Sequence, residues 1–467
     1  MKAAADLEVE LANVSPTVTG KIPLWLEGTL IRNGPVNVAV DGKANKHWFD
    51  GLAMLHGFSF HGGEVQYSNK FLRTEAFNKV FQEGALDYAG FATDPCRSLF
   101  KRFFTWLLPH STPELQNANI NAAKYADQYV ALTETPLPVK FNPKTLETLG
   151  ILDFQDELPK ERCWESAHPH YDLKNKAILN YLIEYGKKSF YTFYRIQKDM
   201  PSRQIVAKVP VDNPAYMHSF AITENYLILA EYPFVINPFD LLLKGRPFIE
   251  NFSWQPERGT NFICINRKNG NVKSRLKTKA FFAFHHINAF ERGDQVILDI
   301  VCYDDPKIIT DIANYFKGSA KNEAPSRVER FYLPLAGKTA SSEILSDLAI
   351  ELPRINPALD GRPYAFGYFA DAREPRKGDE TRALYKLNTE TKVVLQWSEK
   401  GCSPGEPIFV PKPNAQYEDD GIILALVLDL IKQGSFLLIL DAKNFEEISR
   451  ATVPHMIPPG LHGEFFF

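Results

Sequence analysis

Four of the chain's eleven histidines, His168, His218, His285 and His462, each stand at the head of a similar strand-like phrase in a separate part of the sequence. If those phrases are equivalent strands of a repeated unit, their imidazoles can converge on one axis and hold a metal ion. Four neutral imidazoles, with no thiolate or carboxylate among the ligands, leave a divalent ion its full charge. That donor set suits redox iron with open positions better than structural zinc. Ligating histidines normally donate their second ring N–H to a carboxylate or carbonyl, so buried glutamates are expected beside them. Glu134 in ALTETPLP, Glu351 in AIELPRIN and Glu406 in GEPIFVP sit in apolar or strand-like sequence, where an unpaired carboxylate is costly. A single histidine in a strand is more often a satisfied core or surface residue. His47, His56, His61, His110, His170 and His455 lack the strand-opening context and receive no role. His286 abuts His285, and side-chain alternation lets only one of the two face the axis.

The elements that must position these residues are short strands. Glycine, proline and Asx residues punctuate the chain about every ten residues, between runs rich in Val, Ile, Tyr and Phe. A weak repeat pairs an apolar strand with an Asn or Asp turn: VKFNPKTLE from Val139, CINRKNGNV from Cys264, YKLNTETKV from Tyr385 and ILDAKNFEE from Ile439. A second repeat, opened by His218, His285 and Glu406, reads as a strand, a polar turn and another strand. Repeated units of this kind favour a propeller; a pair of β-sandwich domains is the alternative.

The 467 residues suffice for one large all-β toroid or for two or three ordinary domains. Aromatic content of 13%, with 34 Phe, suggests a greasy cavity or exposed apolar surface in addition to a core. A net charge of −3 gives no electrostatic reason to expect nucleic acid. Five scattered cysteines, never in a CxxC, imply neither a disulfide framework nor a zinc-thiolate site. Residues 1–11 lack the apolar run of a secretory signal, and the longest apolar stretch, residues 422–431, is too short to span a membrane and is broken by Asp429. A cytoplasmic protein without a transmembrane helix is expected. One segment departs from the β pattern. In CRSLFKRFFTWLL, residues 96–108, Leu99, Phe103 and Trp106 fall at helical spacing beside Arg97, Lys101 and Arg102. Such a helix can lie in a membrane interface or cap the propeller.

At the histidine phrases the chain resembles a known family. SAHPHYD around His168, MHSFAITENY around His218, FHHINAFE around His285 and PPGLHGEF around His462 are similar, in order, to the four iron-ligand motifs of the carotenoid cleavage oxygenases, the retinal pigment epithelial membrane protein family. The resemblance runs from about Leu24 to the last residues and includes HWFDGLAMLHGF and EPIFVPKP followed by EDDG. It implies an all-β fold, a seven-bladed β-propeller with a helical dome over the metal-binding face, forming a single domain over residues 1–467. It implies one Fe2+ on His168, His218, His285 and His462, with His285 chosen over His286 because Asn288 follows it by three. It also implies that Glu134, Glu351 and Glu406 support those histidines and that His168 is the one without such a partner.

TETPLPVKFNPKTLETL and TDPCRSLFKRFF resemble the animal branch, which holds the retinal-forming central-cleavage oxygenases and a retinoid isomerase. In that branch the equivalent of residues 91–117 docks on a membrane, which here assigns membrane contact to Cys96, Leu99, Phe100, Phe103, Phe104, Trp106 and Leu107. Tyr303 resembles an aromatic tunnel position, with ordinary strand packing as its alternative, and Thr133 is a further cavity candidate. This chain is shorter than the animal enzymes, which puts some of their tunnel loops in doubt. The function implied is that of a non-haem iron(II) dioxygenase, with dioxygen as co-substrate and no organic cofactor. It would cleave the central double bond of β-carotene to give retinal while peripherally associated with a membrane. The alternatives are an oxygenase of apocarotenoids or stilbenes, an isomerohydrolase of retinyl esters using iron as a Lewis acid, and a non-enzymatic metal-binding scaffold.

Overall fold

The computed structural model describes residues 9–36, 47–83, 91, 117–160, 163–243, 246–316, 325–373 and 380–467. Their strands form seven antiparallel sheets of four to six strands, with a small two-stranded ribbon at Phe234–Val235 and Ser253–Trp254. The sheets are the blades of a seven-bladed β-propeller, and the alternative of two sandwiches is not met. Blade 1 is built on Gly28–Val36, Leu52–His61 and Glu64–Phe71; blade 2 on Asn121–Tyr125 through Thr148–Ile151; blade 3 on Cys163–Glu165 through Arg203–Val211. Blades 4 to 7 follow at Ala221–Ile222 through Val272–Thr278, His286–Arg292 through Ser341–Ser346, Ile350–Arg354 through Val394–Ser398, and Cys402–Pro404 through Glu447–Val453.

Both ends of the chain close the ring. Thr17–Gly20 adds an outer strand to blade 7 by pairing with Glu447–Val453, while Gly463–Phe466 pairs with Gly28–Val36 in blade 1. His462 therefore stands at the start of the closing strand.

Strand chemistry follows position within a blade. The second strands, such as Ala177–Glu184 and Gly421–Asp429, are buried almost throughout because neighbouring blades cover both faces. The long apolar run at residues 422–431 is explained in this way. Asp429 at its end accepts the Ile431 and Lys432 N–H groups. Outer strands such as Val272–Thr278 alternate exposed and buried residues.

The four Asn/Asp repeats all join the third strand of a blade to its fourth, with one turn geometry. Asn142, Asn266, Asn388 and Asp441 each accept, through Oδ1, the N–H groups two and three residues on. Their own carbonyls accept from the fourth residue on. That fourth residue takes a left-handed conformation, with φ of 56° at Leu146, 72° at Gly270, 60° at Lys392 and 65° at Phe445. The Asx side chain mimics a backbone turn, which is why this residue type recurs.

Buried asparagines stitch the blades together. Asn33 Nδ2 donates to the Ala118 and Asn121 carbonyls, Asn121 Nδ2 to Ala167 O and Asn288 Nδ2 to Leu359 O and Arg362 O, all within 3.0 Å. Besides the strands, the described residues hold three short α-helices, Glu75–Glu83, Pro238–Leu243 and Lys307–Phe316, of which the last contributes residues to the cavity at the axial histidines. The basic aromatic segment at residues 96–108, with all its expected membrane contacts, lies outside the described residues. No helix among the described residues is long and apolar enough to cross a membrane.

Candidate metal centre

His168, His218, His285 and His462 each immediately precede, or stand two or three residues before, the innermost strand of a blade: blades 3, 4, 5 and 1. This shared position makes residues up to 294 apart in sequence neighbours on the axis. One ring nitrogen of each lies within 4.8 Å of all the others. His168 Nε2 and His218 Nε2 are 2.8 Å apart, and His285 Nε2 and His462 Nε2 are 3.2 Å apart. Ser166 holds two of the backbones together: its Oγ donates to His218 O and accepts the His168 N–H.

The three blades that give no histidine to this cluster give the glutamates. Glu134 in blade 2 meets His218 Nδ1 at 2.5 Å, Glu351 in blade 6 meets His285 Nδ1 at 2.6 Å, and Glu406 in blade 7 meets His462 Nδ1 at 2.8 Å. Among the described residues no carboxylate is bonded to His168. Burial would raise Glu351, but His285 and the hydrogen bonds from Leu352 and Tyr303 hold it below the usual carboxylate range. Burial acts likewise on Glu406 and is outweighed by Arg354, His462 and Arg32, leaving it low. For Glu134 burial wins over His218 and Tyr216, and its carboxyl lies above the ordinary value. Burial pushes His462 down to about 3 against the pull of Glu406. It pushes His168 well below the imidazole range, with the three facing histidines acting in the same direction.

These contacts test whether the residues fit a metal. Ionised Glu351 and Glu406 can only accept, so both Nδ1 atoms must donate. With Nδ1 turned to a glutamate in each ring, the two Nε2 atoms are left to face one another at 3.2 Å, where they can bind a cation. Four nitrogens converging without a thiolate or carboxylate match a divalent transition metal, so the donor set fits.

A cavity of about 250 Å³ opens onto His218, His285 and His462. Its walls are mainly apolar, with Phe49, Phe284, Ile308, Ile312, Leu352 and Leu426 among them. Ile308 and Ile312 come from the helix Lys307–Phe316, which lies over the site. Tyr303 lines the same cavity and its hydroxyl donates to Glu351 at 3.1 Å. Thr133, expected in the cavity, is not among its lining residues, and neither is His168.

The histidines given no role are placed otherwise. His47 accepts the Phe49 N–H and bonds Ile309 O. His56 and His455 flank the Tyr67 hydroxyl. His61 sits on the surface with Glu27, and His170 bonds Asp360 and Phe220 O. His286 turns to Ser219, as alternation with His285 requires; His110 lies outside the described residues. Sequence reasoning missed Tyr216, which donates to Glu134, and the arginines Arg32 and Arg354, which bind Glu406. The signal was there: Arg32 stands in the apolar phrase TLIRNGPV and Arg354 three residues after Glu351. Each is a lone charge in strand sequence, the argument that singled out the glutamates.

Fold and site together define a seven-bladed propeller enzyme built around four axial histidines. The chain belongs to the retinal pigment epithelial membrane protein family of carotenoid cleavage oxygenases, which it matches over residues 3–467. It is 34% identical to the β,β-carotene 15,15′-dioxygenase of Gallus gallus, over 97% of this chain and 95% of that one. It is 32% identical to a mitochondrial carotenoid-cleaving dioxygenase of Mustela putorius furo, over 97% and 93%. A cobalt-substituted form of the Synechocystis apocarotenoid oxygenase superposes with a TM-score of 0.86 at 28% identity, covering 100% of this chain and 98% of that one. The protein is a carotenoid cleavage dioxygenase.

Proposed function

We propose that the chain cleaves the central double bond of β-carotene to give two molecules of retinal, with one Fe2+ on His168, His218, His285 and His462. One double bond and one dioxygen yield two carbonyl groups, so no external reductant or organic cofactor is required. Iron(II) held there supplies the redox chemistry with dioxygen that scission of the double bond needs. The observation that carries the reading is the apolar cavity opening directly onto three of the four histidines. The chain's own residues do the rest. Glu134, Glu351 and Glu406 fix three imidazole orientations, while Phe284, Ile308, Ile312 and Leu352 exclude water and hold a polyene by apolar contact. Tyr303 sets Glu351 and offers an aromatic face to charge developing on the polyene.

The choice of the central bond rests on the 34% identity to the Gallus gallus enzyme. A second reading, cleavage of an apocarotenoid, is favoured by Asp371, Arg382 and Ser403, polar residues in the cavity wall that could meet an oxygenated end group. The experiment that decides is to incubate iron-loaded protein with β-carotene and with apocarotenals under 18O-labelled dioxygen and identify the aldehydes by mass. Labelled retinal from β-carotene supports the proposal. Cleavage of apocarotenals alone supports the second reading, and unlabelled or absent aldehyde removes both.

A polyene this insoluble must be drawn from a bilayer, and the membrane contacts assigned to Cys96, Leu99, Phe100, Phe103, Phe104, Trp106 and Leu107 serve that need. Phe91, where described chain meets this segment, packs on Trp164 and Tyr216, and Phe239 nearby in sequence to that cluster's Phe248 is half exposed. Deleting residues 96–108 should abolish liposome binding; unchanged binding ends this part of the proposal.

A further inference from the structure

The three glutamates that hold histidines differ in what else they touch. Glu134 accepts from the Tyr216 hydroxyl at 3.2 Å; Glu351 accepts from the Tyr303 hydroxyl at 3.1 Å and the Leu352 N–H at 2.7 Å. All of these donors are neutral. Glu406 lies between two guanidinium groups. Arg32 Nη1 reaches its Oε2, and Arg354 Nε reaches its Oε1 at 2.9 Å, the same oxygen that accepts from His462 Nδ1.

The same two cations also grip the backbone on either side of His462. Arg32 Nη2 donates to Leu461 O at 2.9 Å, Arg354 Nη2 donates to Gly463 O, and the Gly463 N–H returns to Glu406 Oε2 at 3.0 Å. Arg32 comes from blade 1, Arg354 from blade 6 and Glu406 from blade 7, so three blades meet at the closing strand. Arg32 is 3% exposed and its Nε has no hydrogen-bond partner among the described residues. Burying a guanidinium incompletely satisfied is expensive, and its hydrogen bonds among the described residues go to Glu406 and to the Leu461 carbonyl beside His462.

We propose that Arg32 and Arg354 are positioning residues, a clamp that holds Glu406, His462 and the closing strand as one unit and so makes metal binding conditional on ring closure. The clamp also makes the four histidines unequal. A carboxylate bonded to an imidazole N–H strengthens the ring as a donor, and one N–H from each of two guanidinium groups on Glu406 draws part of that charge away. His218 and His285 keep the full effect of their carboxylates, His462 a reduced one, and His168 has none. The inference rests on the reading of this cluster as a metal centre.

The test uses cobalt(II), the ion substituted into the Synechocystis relative, because its visible absorption reports ligand geometry independently of activity. Wild type, Arg354→Gln, Arg354→Lys and Glu464→Gln are stripped with chelator and titrated with Co2+. Glu464 is the second carboxylate of Arg354 and does not touch His462 through its side chain. Arg354→Gln is expected to bind Co2+ about 10- to 100-fold more weakly with a shifted visible spectrum. Arg354→Lys, which keeps the charge and loses the fork, should fall between it and wild type, and Glu464→Gln should match wild type. Binding by Arg354→Gln within twofold of wild type, with an unchanged spectrum, overturns the clamp. If that variant fails to fold, an Arg354→Lys protein identical to wild type in both readouts does the same. An equal loss in Glu464→Gln shows that any change on the closing strand has the same effect and that the Arg354–Glu406 contact does not set the metal site, which also overturns it. Wild type that binds no Co2+ removes the metal-centre reading itself.

Discussion

His285 and His462 hold their Nε2 atoms 3.2 Å apart while the Nδ1 of each ring is hydrogen-bonded to a glutamate. A cation bound between them is held by both Nε2 atoms at once. The metal-free chain should be measurably less stable than the loaded one. A ligand at one hundred times its Kd stabilises by about 2.7 kcal/mol. Thermal unfolding of chelator-treated protein, before and after reloading with iron or cobalt, is expected to show the midpoint rising on reloading. Equal midpoints with metal demonstrably bound would contradict this account of the facing nitrogens.

Glu165 offers a pH-dependent term away from the histidine rings. It is buried beside Tyr194, whose hydroxyl donates to it at 2.6 Å, and burial pushes its carboxyl up to about 7 despite the counter-pull of Arg203. The folded state holds this proton while the unfolded chain, with an ordinary carboxylate, releases it from about pH 4.5 upward. The folded state therefore binds more protons between those values, and stability must fall as pH rises through that window and level off above it. Glu165→Gln should remove that slope and be relatively more stable at pH 8 than at pH 5. Parallel pH–stability curves for variant and wild type, from urea unfolding, would refute it.

The Asx turns of blades 2, 4, 6 and 7 are equivalent, so their contribution can be measured at one of them. Asp441 Oδ1 accepts the Lys443 N–H at 2.8 Å and the Asn444 N–H at 3.2 Å on the surface. Asp441→Ala gives these donors to water and should cost about 1 kcal/mol, with metal content and cleavage unchanged. A loss of activity at constant metal content would mean that the outer turns reach the site.

Much of the axial chemistry was legible because it depends on local phrases that recur. The heads of the inner strands carry His168, His218, His285 and His462, and the charged residues buried in apolar runs, Glu134, Glu351 and Glu406, stand out against a 45% hydrophobic background. The Asn and Asp turns marked the hairpins of blades 2, 4, 6 and 7 for the same reason. What could not be read were relations fixed only by ring closure. Arg32 and Glu406 are 374 residues apart, and nothing in either phrase says that the two ends of the chain meet there. Thr133 shows the converse limit. It adjoins Glu134, yet a register shift between Ala131 and Thr133 in blade 2 interrupts the regular pairing there, and the cavity wall passes it by.

The cavity's upper wall provides the most direct handle on substrate. Ile308 and Ile312 lie on one face of the helix Lys307–Phe316, one turn apart, and line the cavity onto which His285 and His462 open. Enlarging Ile312 to Trp should fill space that a long polyene needs while leaving the four imidazoles and their carboxylates as they are. Selection by pocket volume typically discriminates by on the order of tenfold to a hundredfold. Ile312→Trp is therefore expected to lower kcat/KM for β-carotene by that order at unchanged metal content, and to affect a shorter apocarotenal less. Metal analysis beside steady-state kinetics on both substrates checks it. Equal losses on the two substrates would mean that the helix acts on the site as a whole and does not gate the length of what enters.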